Sequence, residues 1–499
     1  MLILEEGMTI LRKYIEKYNS TPVQVRASFW FLVCGVFQNG LNIFTLPIFT
    51  RLLTTEQYGL SSTYFAWNDL IEVICTLRLS YGAFDKGMME YIHCRDKFES
   101  ALLGLTTTIS VSMLGIFLLF HSQIEKIMGM NFVLCASLFL IQICTPAFLF
   151  WTARNKYEYS YRKLMSVTLI TAVCATFLNL LAVLYIDYDK GIVKIISYQI
   201  VWALIFLMIY VRIFWKGKTY YNKEIWRYAL KFNLPLIPYF LSTLILDKAD
   251  RIMIGWFCGQ SSAALYSVSY NLGRLMVLLT SSLGATFTPW IYQKLKNYQD
   301  NQDNQDTDIG NIHSITAMLM VGFLGVATLF MLFSPEFIMI FVDKGYADAV
   351  YVIPPVVAGY FFVMIYNLVS NIEFYYVRTK IIAAITVITS GLNVFLNYLL
   401  IPKFGYVAAA YTTLICYMVM AGFHMLYSRK IAGVELQNSS IFPWKIFILL
   451  SVAMLAITGG VIAIYPYVLV RYSLIIGICL LTFLCRKKIL EVIGLLKKR

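Results

Sequence analysis

The sequence predicts an all-α integral membrane protein with about 14 transmembrane helices. Hydrophobic residues make up 59% of the 499 positions and charged residues only 14%, and the mean hydropathy is +0.70. Soluble domains are nearer half apolar and a quarter charged. Apolar runs long enough to cross a bilayer as helices recur from end to end. Strands of a membrane barrel would be shorter and would alternate in polarity, so the runs are expected to be helices.

The predicted spans follow one another with short loops, and their order defines the predicted domains. The spans are placed at 27–50, 60–81, 99–120, 131–152, 164–186, 192–214, 228–257, 263–291, 312–334, 351–374, 378–400, 405–428, 442–463 and 466–485. The predicted domains are a cytosolic interfacial helix (1–26), an N-lobe of spans 1–6 (27–214), a cytosolic inter-lobe loop (215–227), a C-lobe of spans 7–12 (228–428), spans 13–14 (429–485) and a basic cytosolic tail (486–499). The amino-terminal helix is predicted because its apolar residues share one face.

The distribution of positive charge predicts the orientation. The net charge is +14, and most of the 41 Lys and Arg residues fall on the side that holds both termini. By the positive-inside rule that side is cytosolic. The excess therefore indicates contact with the lipid bilayer, and nucleic acid is excluded as a partner.

A faint internal repeat indicates two pseudo-repeated lobes of six helices. Leu-Asn pairs end at Asn179 and Asn393, and the same spacing leads from each to a turn glycine, Gly191 and Gly405. An even number of spans per lobe makes the repeat parallel, as in transporters that bind substrate between two lobes. Spans 13 and 14 are an addition to this twelve-span core.

Polar side chains form four helical stripes in the first two spans of each lobe. A charge at the bilayer centre costs roughly 2.5–3.5 kcal/mol, so such residues usually face the bundle interior or a wet cavity. The stripes are Gln38, Asn42 and Thr45 in span 1; Asp69, Glu72 and Thr76 in span 2; Thr243, Asp247, Asp250 and Arg251 in span 7; and Ser267, Asn271 and Arg274 in span 8. Together they predict one polar cavity between the lobes.

Simpler roles remain open for several of these residues. Asp247 and Arg251 are spaced i, i+4 and would also neutralise each other. Hydroxyls and amides in membrane helices often hold neighbouring helices together. Arg78 lies near a span end and would also reach the interface by extending its side chain. Arg51 fits gating or interface anchoring, and Lys248 and Asp250 fit gating or charge balance.

Prolines interrupt the same spans. Pro47 lies in span 1, Pro235 and Pro238 in span 7, and Pro289 in span 8. Each removes a backbone donor, so a bend or break is expected there. Bent helices suit a protein that alternates between inward-open and outward-open forms, although membrane helices also carry proline for packing reasons.

Three stretches resemble signatures of Wzx-type polysaccharide flippases, in the multidrug/oligosaccharidyl-lipid/polysaccharide (MOP) exporter superfamily, which includes the MATE-like transporters. They are "LNIFTLPIFTRLLTTEQYGLSSTY" at the first hairpin, "LPLIPYFLSTLILDKADRIMIGWFCGQSSAALYSVSY" at spans 7–8, and "LNVFLNYLLIPKFGYVAAAYTTLI" at spans 11–12. The resemblance covers most of the chain.

The resemblance implies a flippase of the bacterial inner membrane that moves an undecaprenyl-pyrophosphate-linked oligosaccharide by alternating access. Such proteins serve O-antigen or capsule assembly, with a polysaccharide polymerase and chain-length machinery as expected partners. Arg251 and Arg274 are the candidates for pyrophosphate contacts. Asp69, Glu72 and Asp247 would balance charge, bind sugar hydroxyls or take up a coupling H⁺ or Na⁺. The remaining candidates for substrate contacts are Asn271, Gln38 and Asn42, and no other cofactor is expected.

Three alternatives remain. A cation-coupled multidrug exporter of the same superfamily would typically have twelve spans. A flippase for lipid II is separable by genetic complementation. A membrane polymerase of the same pathway would carry a large outer loop, whereas the predicted outer loops here are short. The chain is therefore expected not to be an enzyme.

Overall fold

The computed structural model describes residues 20–300, 305–438 and 440–484, and its regular elements in these ranges are helices. The α-helices are α1 (Val23–Leu52), α2 (Thr55–Thr76), α3 (Ala83–Glu90), α4 (Arg95–Leu119), α5 (His121–Met128), α6 (Phe132–Tyr157), α7 (Tyr161–Tyr185), α8 (Lys190–Gly217), α9 (Lys223–Asn233), α10 (Ile237–Cys258), α11 (Gln260–Gly273), α12 (Met276–Asp300), α13 (Gln305–Leu332), α14 (Ser334–Phe341), α15 (Ile353–Tyr375), α16 (Thr379–Phe404), α17 (Val407–Glu435), α18 (Trp444–Ile464) and α19 (Val468–Leu484). Two 3₁₀ helices, Leu234–Leu236 and Lys344–Val352, precede α10 and α15.

The described helices confirm the all-α membrane fold. Within the described ranges, twelve helical segments are long and apolar enough to cross a membrane. Two further predicted spans correspond to α2, which carries three acidic residues, and to α19, which has 17 residues. The predicted spans therefore match the helices in order.

The structure differs from the prediction at several boundaries. α1 begins at Val23, inside the predicted interfacial helix, whose residues 1–19 lie outside the described residues, as does the basic tail. The predicted loop at 215–227 contains the start of α9. Span 7 is divided by the 3₁₀ turn that holds Pro235, because proline lacks the donor a continuous helix needs.

The first compact unit comprises the chain up to Leu53 and the segment Trp67–Phe240. Within it, α4, α6 and α8 pack against one another, and α7 packs against both α1 and α8. Its core includes Phe84 stacked on Phe150, with ring centroids 5.3 Å apart. α9 closes this core, and the indole nitrogen of Trp226 donates a 2.8 Å hydrogen bond to the Ala101 carbonyl.

Asn233 secures the turn that follows α2. Leu77 and Arg78 have positive φ angles of 48° and 47°, an uncommon backbone region for residues with side chains. The buried Asn233 amide donates to the carbonyls of Leu77, Arg78 and Tyr81 at 3.0, 2.8 and 3.2 Å. Its Oδ1 accepts from the Ala83 amide at 3.3 Å. One side chain therefore contacts four backbone groups of this turn, of which the Arg78 and Tyr81 carbonyls and the Ala83 amide also pair within the turn itself.

The second unit comprises Thr54–Ala66 and the chain from Leu241 onward. α15 is its most buried span and packs against α12, α13, α17 and α18. α17 also packs along α16, so these helices form one continuous core.

The first half of α2 makes a close backbone contact with α11 inside this unit. A Cβ built on Gly59 would lie only 1.8 Å from the Gln260 carbonyl oxygen. Thr63 Oγ1 donates to Gln260 Oε1 at 2.8 Å, and Ser62 Oγ donates to Ser267 Oγ at 2.6 Å. Gly59 thus allows the backbones of α2 and α11 to approach closely, and the hydroxyls of Ser62 and Thr63 hydrogen-bond across the contact.

The residues that indicated an internal repeat have similar roles in their own units. Asn179 on α7 is buried and donates to the Lys194 carbonyl on α8 at 3.0 Å. Asn393 on α16 is buried and donates to Thr413 Oγ1 on α17 at 3.3 Å. Each asparagine therefore links its helix to the next helix of the same unit.

Candidate functional site

Arg274 lies between two helices in the middle of predicted span 8. α11 ends at Gly273 and α12 begins at Met276, and the two helices together form one candidate membrane span, Gln260–Gln299, which matches predicted span 8. A Cβ on Gly273 would lie 2.8 Å from Val356 Cγ1, which shows that α11 ends in tight contact with α15. Arg274 keeps αR backbone angles, and its amide donates to the Tyr270 carbonyl at 2.7 Å, so the helix tightens locally here without unwinding. Arg274 therefore lies at a junction between two helices, next to the contact between α11 and α15.

Asp247 on α10 anchors Arg274. The Arg274 Nη1 atom lies 3.5 Å from Asp247 Oδ2, and Lys248 Nζ lies 3.6 Å from the same oxygen. The Tyr270 hydroxyl donates to Asp247 Oδ1 at 3.1 Å. The Arg274 side chain is 42% exposed, whereas those of Asp247 and Lys248 are 20% and 16% exposed. Two cations against one carboxylate leave a local positive charge that favours an anionic ligand.

Arg251 is held inside the second unit. It is 4% exposed, its Nη2 donates to Asn271 Oδ1 at 3.2 Å, and its Cζ lies 4.9 Å from the centroid of the Tyr270 ring. The ion pairs of Asp247 among the described residues are with Lys248 and Arg274. The Arg251 side chain thus directly contacts an amide and an aromatic ring, while its charge still acts on Asp247 over a longer distance. A substrate contact for Arg251 remains a prediction.

Asp250 lies in a shell of hydroxyl and amide donors from three other helices. Tyr266 OH on α11 and Thr413 Oγ1 on α17 donate to Oδ2, the latter at 2.7 Å. Asn397 Nδ2 on α16 donates to Oδ1 at 2.7 Å, and Asn397 Oδ1 in turn accepts from Thr412. Asp250 is 1% exposed. This one carboxylate therefore joins four helices of the second unit.

Replacing Asp250 by asparagine is expected to lower the thermal stability of the protein. An amide nitrogen in place of one carboxylate oxygen would face a donor, and a buried unsatisfied donor costs about 1–3 kcal/mol. The double variant Asp250→Asn/Asn397→Asp exchanges donor and acceptor across the 2.7 Å contact and is expected to recover part of the loss. The measurement is the apparent unfolding temperature of purified protein in detergent. Equal temperatures for the single variant and the wild type would show that this shell does not stabilise the fold.

The predicted polar residues of spans 1 and 2 lie largely in the first unit. Glu72 Oε1 is 3.5 Å from Arg78 Nη1, with the two side chains 17% and 20% exposed. Asp69 and Gln38 are partly buried, and the Asn42 side chain lies outside the described residues. The structure thus brings Glu72 and Arg78 together, and Arg78 lies in the turn after α2 where a continuing helix was predicted.

The prolines predicted to interrupt spans 1 and 7, and Arg51, lie in or beside helices of the structure. Pro47 lies inside α1, which continues past it to Leu52, and Arg51 is exposed in the last turn of that helix. Pro235 lies in the 3₁₀ turn and Pro238 in the first turn of α10. The interruption expected in span 7 is therefore confirmed.

Sequence reasoning missed a second buried polar cluster on α15 and α17. His424 Nδ1 lies 2.9 Å from both Glu373 carboxylate oxygens, and Ser428 Oγ donates to Glu373 Oε1 at 2.9 Å. All three side chains are fully buried. The sequence did contain a sign of this cluster. His424 and Ser428 are four residues apart in an apolar helix, so they lie on the same helix face. In residues 20–300, 305–438 and 440–484, no group of three or more His, Cys, Asp or Glu residues is arranged to hold a metal ion.

Comparisons with known proteins identify the family. A sequence profile described as "Polysaccharide biosynthesis protein" matches residues 25–294, more than half of the chain. The chain belongs to this polysaccharide biosynthesis protein family. A relative from Haloferax volcanii, named "Probable low-salt glycan biosynthesis flippase Agl15", is 23% identical over 424 residues, which cover 83% of this chain and 86% of the relative.

Solved structures confirm the fold of this polysaccharide biosynthesis protein. An inward-closed lipid II flippase MurJ superposes with a TM-score of 0.65 at 16% identity, covering 92% of this chain and 99% of MurJ. An inward-facing multidrug resistance MATE transporter of the MOP superfamily gives a TM-score of 0.57 at 14% identity, covering 80% and 95% of the two chains. The family member described here therefore has the fold of the MOP superfamily, as the three sequence signatures indicated.

Proposed function

We propose that this protein is a flippase that moves a polyprenyl-pyrophosphate-linked oligosaccharide across a membrane by alternating access. The observation that carries the proposal is Arg274, a partly exposed guanidinium at a helix junction with Lys248 nearby and Asp247 as its carboxylate partner. A guanidinium group matches phosphate oxygens with two parallel hydrogen bonds. Membership of the polysaccharide biosynthesis family and the glycan flippase from Haloferax volcanii support this substrate class.

We further propose a specific carrier, membrane and glycan for this flippase. The carrier is undecaprenyl pyrophosphate, the membrane is the bacterial cytoplasmic membrane, and both termini lie in the cytosol, as the distribution of Lys and Arg favours. The flipped glycan is an O-antigen or capsule repeat unit that passes to a polysaccharide polymerase and chain-length machinery. Transport without covalent chemistry is the proposed activity.

Four carboxylates within the membrane helices, Asp250 buried and the others partly buried, are the proposed sites of energy coupling. Asp247 and Asp250 lie in the second unit, and Asp69 and Glu72 lie in the first. Asp250 is surrounded by side-chain oxygens of Tyr266 and other residues, and oxygen atoms are the ligands that hard cations prefer. Uptake of H⁺ or Na⁺ at such a carboxylate would drive one half of the transport cycle.

Replacing Arg274 by alanine is expected to slow glycan translocation about tenfold or more, because a hydrogen bond to a charged group contributes about 1.5–3 kcal/mol. The measurement uses sealed proteoliposomes that contain undecaprenyl-pyrophosphate oligosaccharide, with transfer to the opposite leaflet followed over time. The translocation rate of Arg274→Lys is expected to lie between those of the wild type and Arg274→Ala. Lysine keeps the positive charge but lacks the planar pair of donors that binds two phosphate oxygens at once.

Arg378→Ala is the matched control for that experiment. Arg378 belongs to the same unit, is 51% exposed and pairs with Glu435 at 2.8 Å, so its loss also removes one partly exposed ion pair. It is expected to translocate at the wild-type rate. Wild-type rates in Arg274→Ala would show that Arg274 does not hold the headgroup. Transport of lipid II or cationic drugs in place of the oligosaccharide would replace the proposed substrate.

A further inference from the structure

An open pocket in the first unit lies apart from the polar residues discussed so far. It has a volume of about 490 Å³ and is lined by residues near one end of α4, α6, α7 and α8. These helix ends border the segments that carry many of the Lys and Arg residues, which the positive-inside rule places on the cytosolic side. The pocket therefore opens where a membrane presents its headgroups.

Cations outnumber carboxylates in this pocket by five to three. The three carboxylates all contact Arg154, at 2.5 Å from Asp96, 2.6 Å from Glu99 and 2.9 Å from Glu158. The other four cations are exposed, and none has a carboxylate within 4.0 Å in the part of the chain that the structure describes. They are Arg162, Lys163, Arg212 and Lys216. The three carboxylates thus converge on Arg154, and the other four cations give the pocket as a whole a net charge of +2.

Glu99 adds an acceptor to the pocket wall. It is 3% exposed, and while its Oε2 binds Arg154, its buried Oε1 has no hydrogen-bond partner among the described residues. A buried carboxylate oxygen without a donor is costly. A hydroxyl or ammonium group on a ligand would satisfy it.

Arg162 and Lys163 lie in the first turn of α7. The helix dipole disfavours positive side chains at this end, and the capping residue Ser160 makes no side-chain hydrogen bond to the first backbone amides. An anion bound here would offset both the dipole and the clustered cations. The arrangement is therefore unfavourable alone and favourable with an anionic ligand.

Exposed apolar side chains lie further along α7 and α8, two of the helices that line the pocket. Ile170 and Phe177 on α7 are 62% and 59% exposed, and Met208 and Leu204 on α8 are 60% and 57% exposed. Such faces suit contact with acyl or prenyl chains. A ligand with a phosphate at one end and hydrocarbon at the other would match both parts.

We propose that this pocket binds the phosphate headgroup of a membrane lipid, with its phosphate against Arg162, Lys163 and Arg212 and a hydroxyl or ammonium group against Glu99. Basic pockets between membrane helices on the cytosolic side are suited to such headgroups. A glycerophospholipid of the leaflet and the polyprenyl-pyrophosphate carrier share this chemistry. Lipid binding at this pocket does not require the proposed flippase function, because glycerophospholipids are present in the bilayer in any case.

The test is native mass spectrometry of the full chain in detergent micelles, titrated with phosphatidylglycerol or with phosphatidylcholine. The wild type is expected to retain one phosphatidylglycerol molecule in preference to phosphatidylcholine. The variant Arg162→Ala/Lys163→Ala/Arg212→Ala is expected to bind it at least about tenfold more weakly, since each cation near a headgroup contributes about 1 kcal/mol. The control Lys97→Ala/Lys218→Ala/Lys223→Ala removes three exposed cations of the same unit outside the pocket and is expected to bind normally.

Two further experiments distinguish a phospholipid from the polyprenyl-pyrophosphate carrier and test the role of Glu99. Undecaprenyl pyrophosphate that displaces phosphatidylglycerol would identify a site for the carrier, and failure to displace it would identify a phospholipid site. Phosphatidylmethanol has the same charge without a free hydroxyl, so Glu99→Gln is expected to reduce the wild-type preference for phosphatidylglycerol over it. Equal retention of phosphatidylglycerol by the wild type and the pocket variant, with both folded by size exclusion, would overturn the proposal.

Discussion

Replacing Gly59 by alanine is expected to abolish the accumulation of folded protein. The new Cβ would lie 1.8 Å from the Gln260 carbonyl oxygen and 2.6 Å from its carbonyl carbon. Both partners are helix backbone, so no side chain can turn away, and the helices would have to separate by more than about 1 Å in a close-packed interior. Separation would also break the 2.8 Å bond between Thr63 and Gln260. The measurement is the yield of monodisperse protein after detergent extraction.

Gly422→Ala is the control, because a Cβ at this position on α17 meets nothing within 4 Å. Both positions are helical, so both variants gain the same helix propensity relative to glycine. Only the steric contact differs between them. A normal yield of Gly59→Ala would mean that α2 and α11 do not approach as closely as described.

Replacing Asn233 by alanine is expected to give the second largest loss. The amide serves three carbonyls and one backbone N–H in a buried turn. The Arg78 and Tyr81 carbonyls keep the amides of Tyr81 and Ala83 as donors, so the Leu77 carbonyl is the group that loses its donor. A buried polar group left without a partner costs about 1–3 kcal/mol, which exceeds the cost of an ordinary surface change. The apparent unfolding temperature in detergent is expected to fall clearly, together with extraction yield.

Asn222→Ala provides a control of the same residue type on the same helix. Asn222 caps α9 by accepting from the amides of Glu224 and Ile225 at 3.0 and 3.1 Å. Loss of such a cap typically costs about 1 kcal/mol. Asn233→Ala should therefore unfold at a lower temperature than Asn222→Ala. The reverse order would show that the turn after α2 does not depend on the Asn233 amide.

The fold was largely predictable because the membrane imposes its own pattern. Every backbone group in hydrocarbon must be paired within its segment, so a long apolar run is a helix almost regardless of its neighbours. The predicted spans at 99–120, 131–152, 192–214 and 378–400 agree with α4, α6, α8 and α16 to within about five residues at each end. The junction after Gly273 was not predictable, because the run around it stays largely apolar; the structure places Gly273 in tight contact with Val356 on a distant helix.

The candidate site was predictable only in part. Asp247 and Arg274 were recognised because charge is rare in membrane spans, and the structure places them 3.5 Å apart. The Asp250 shell was missed because Asn397 and Thr413 are residue types that membrane helices often use for packing. Their role appears only when α16 and α17 are brought against α10.

The four hydrogen bonds of Asn233 have a consequence for co-translational folding. The Arg78 carbonyl can accept from Asn233 only after a further 155 residues have been synthesised. At 5–20 residues per second, that interval is roughly 8 to 30 s of synthesis. During this time the second helix is already in the membrane, while the turn that follows it lacks the Asn233 side chain that donates to the Leu77 carbonyl. A nascent chain stalled before Asn233 is thus expected to be a substrate for membrane proteases, and a chain released just beyond it is expected to escape them.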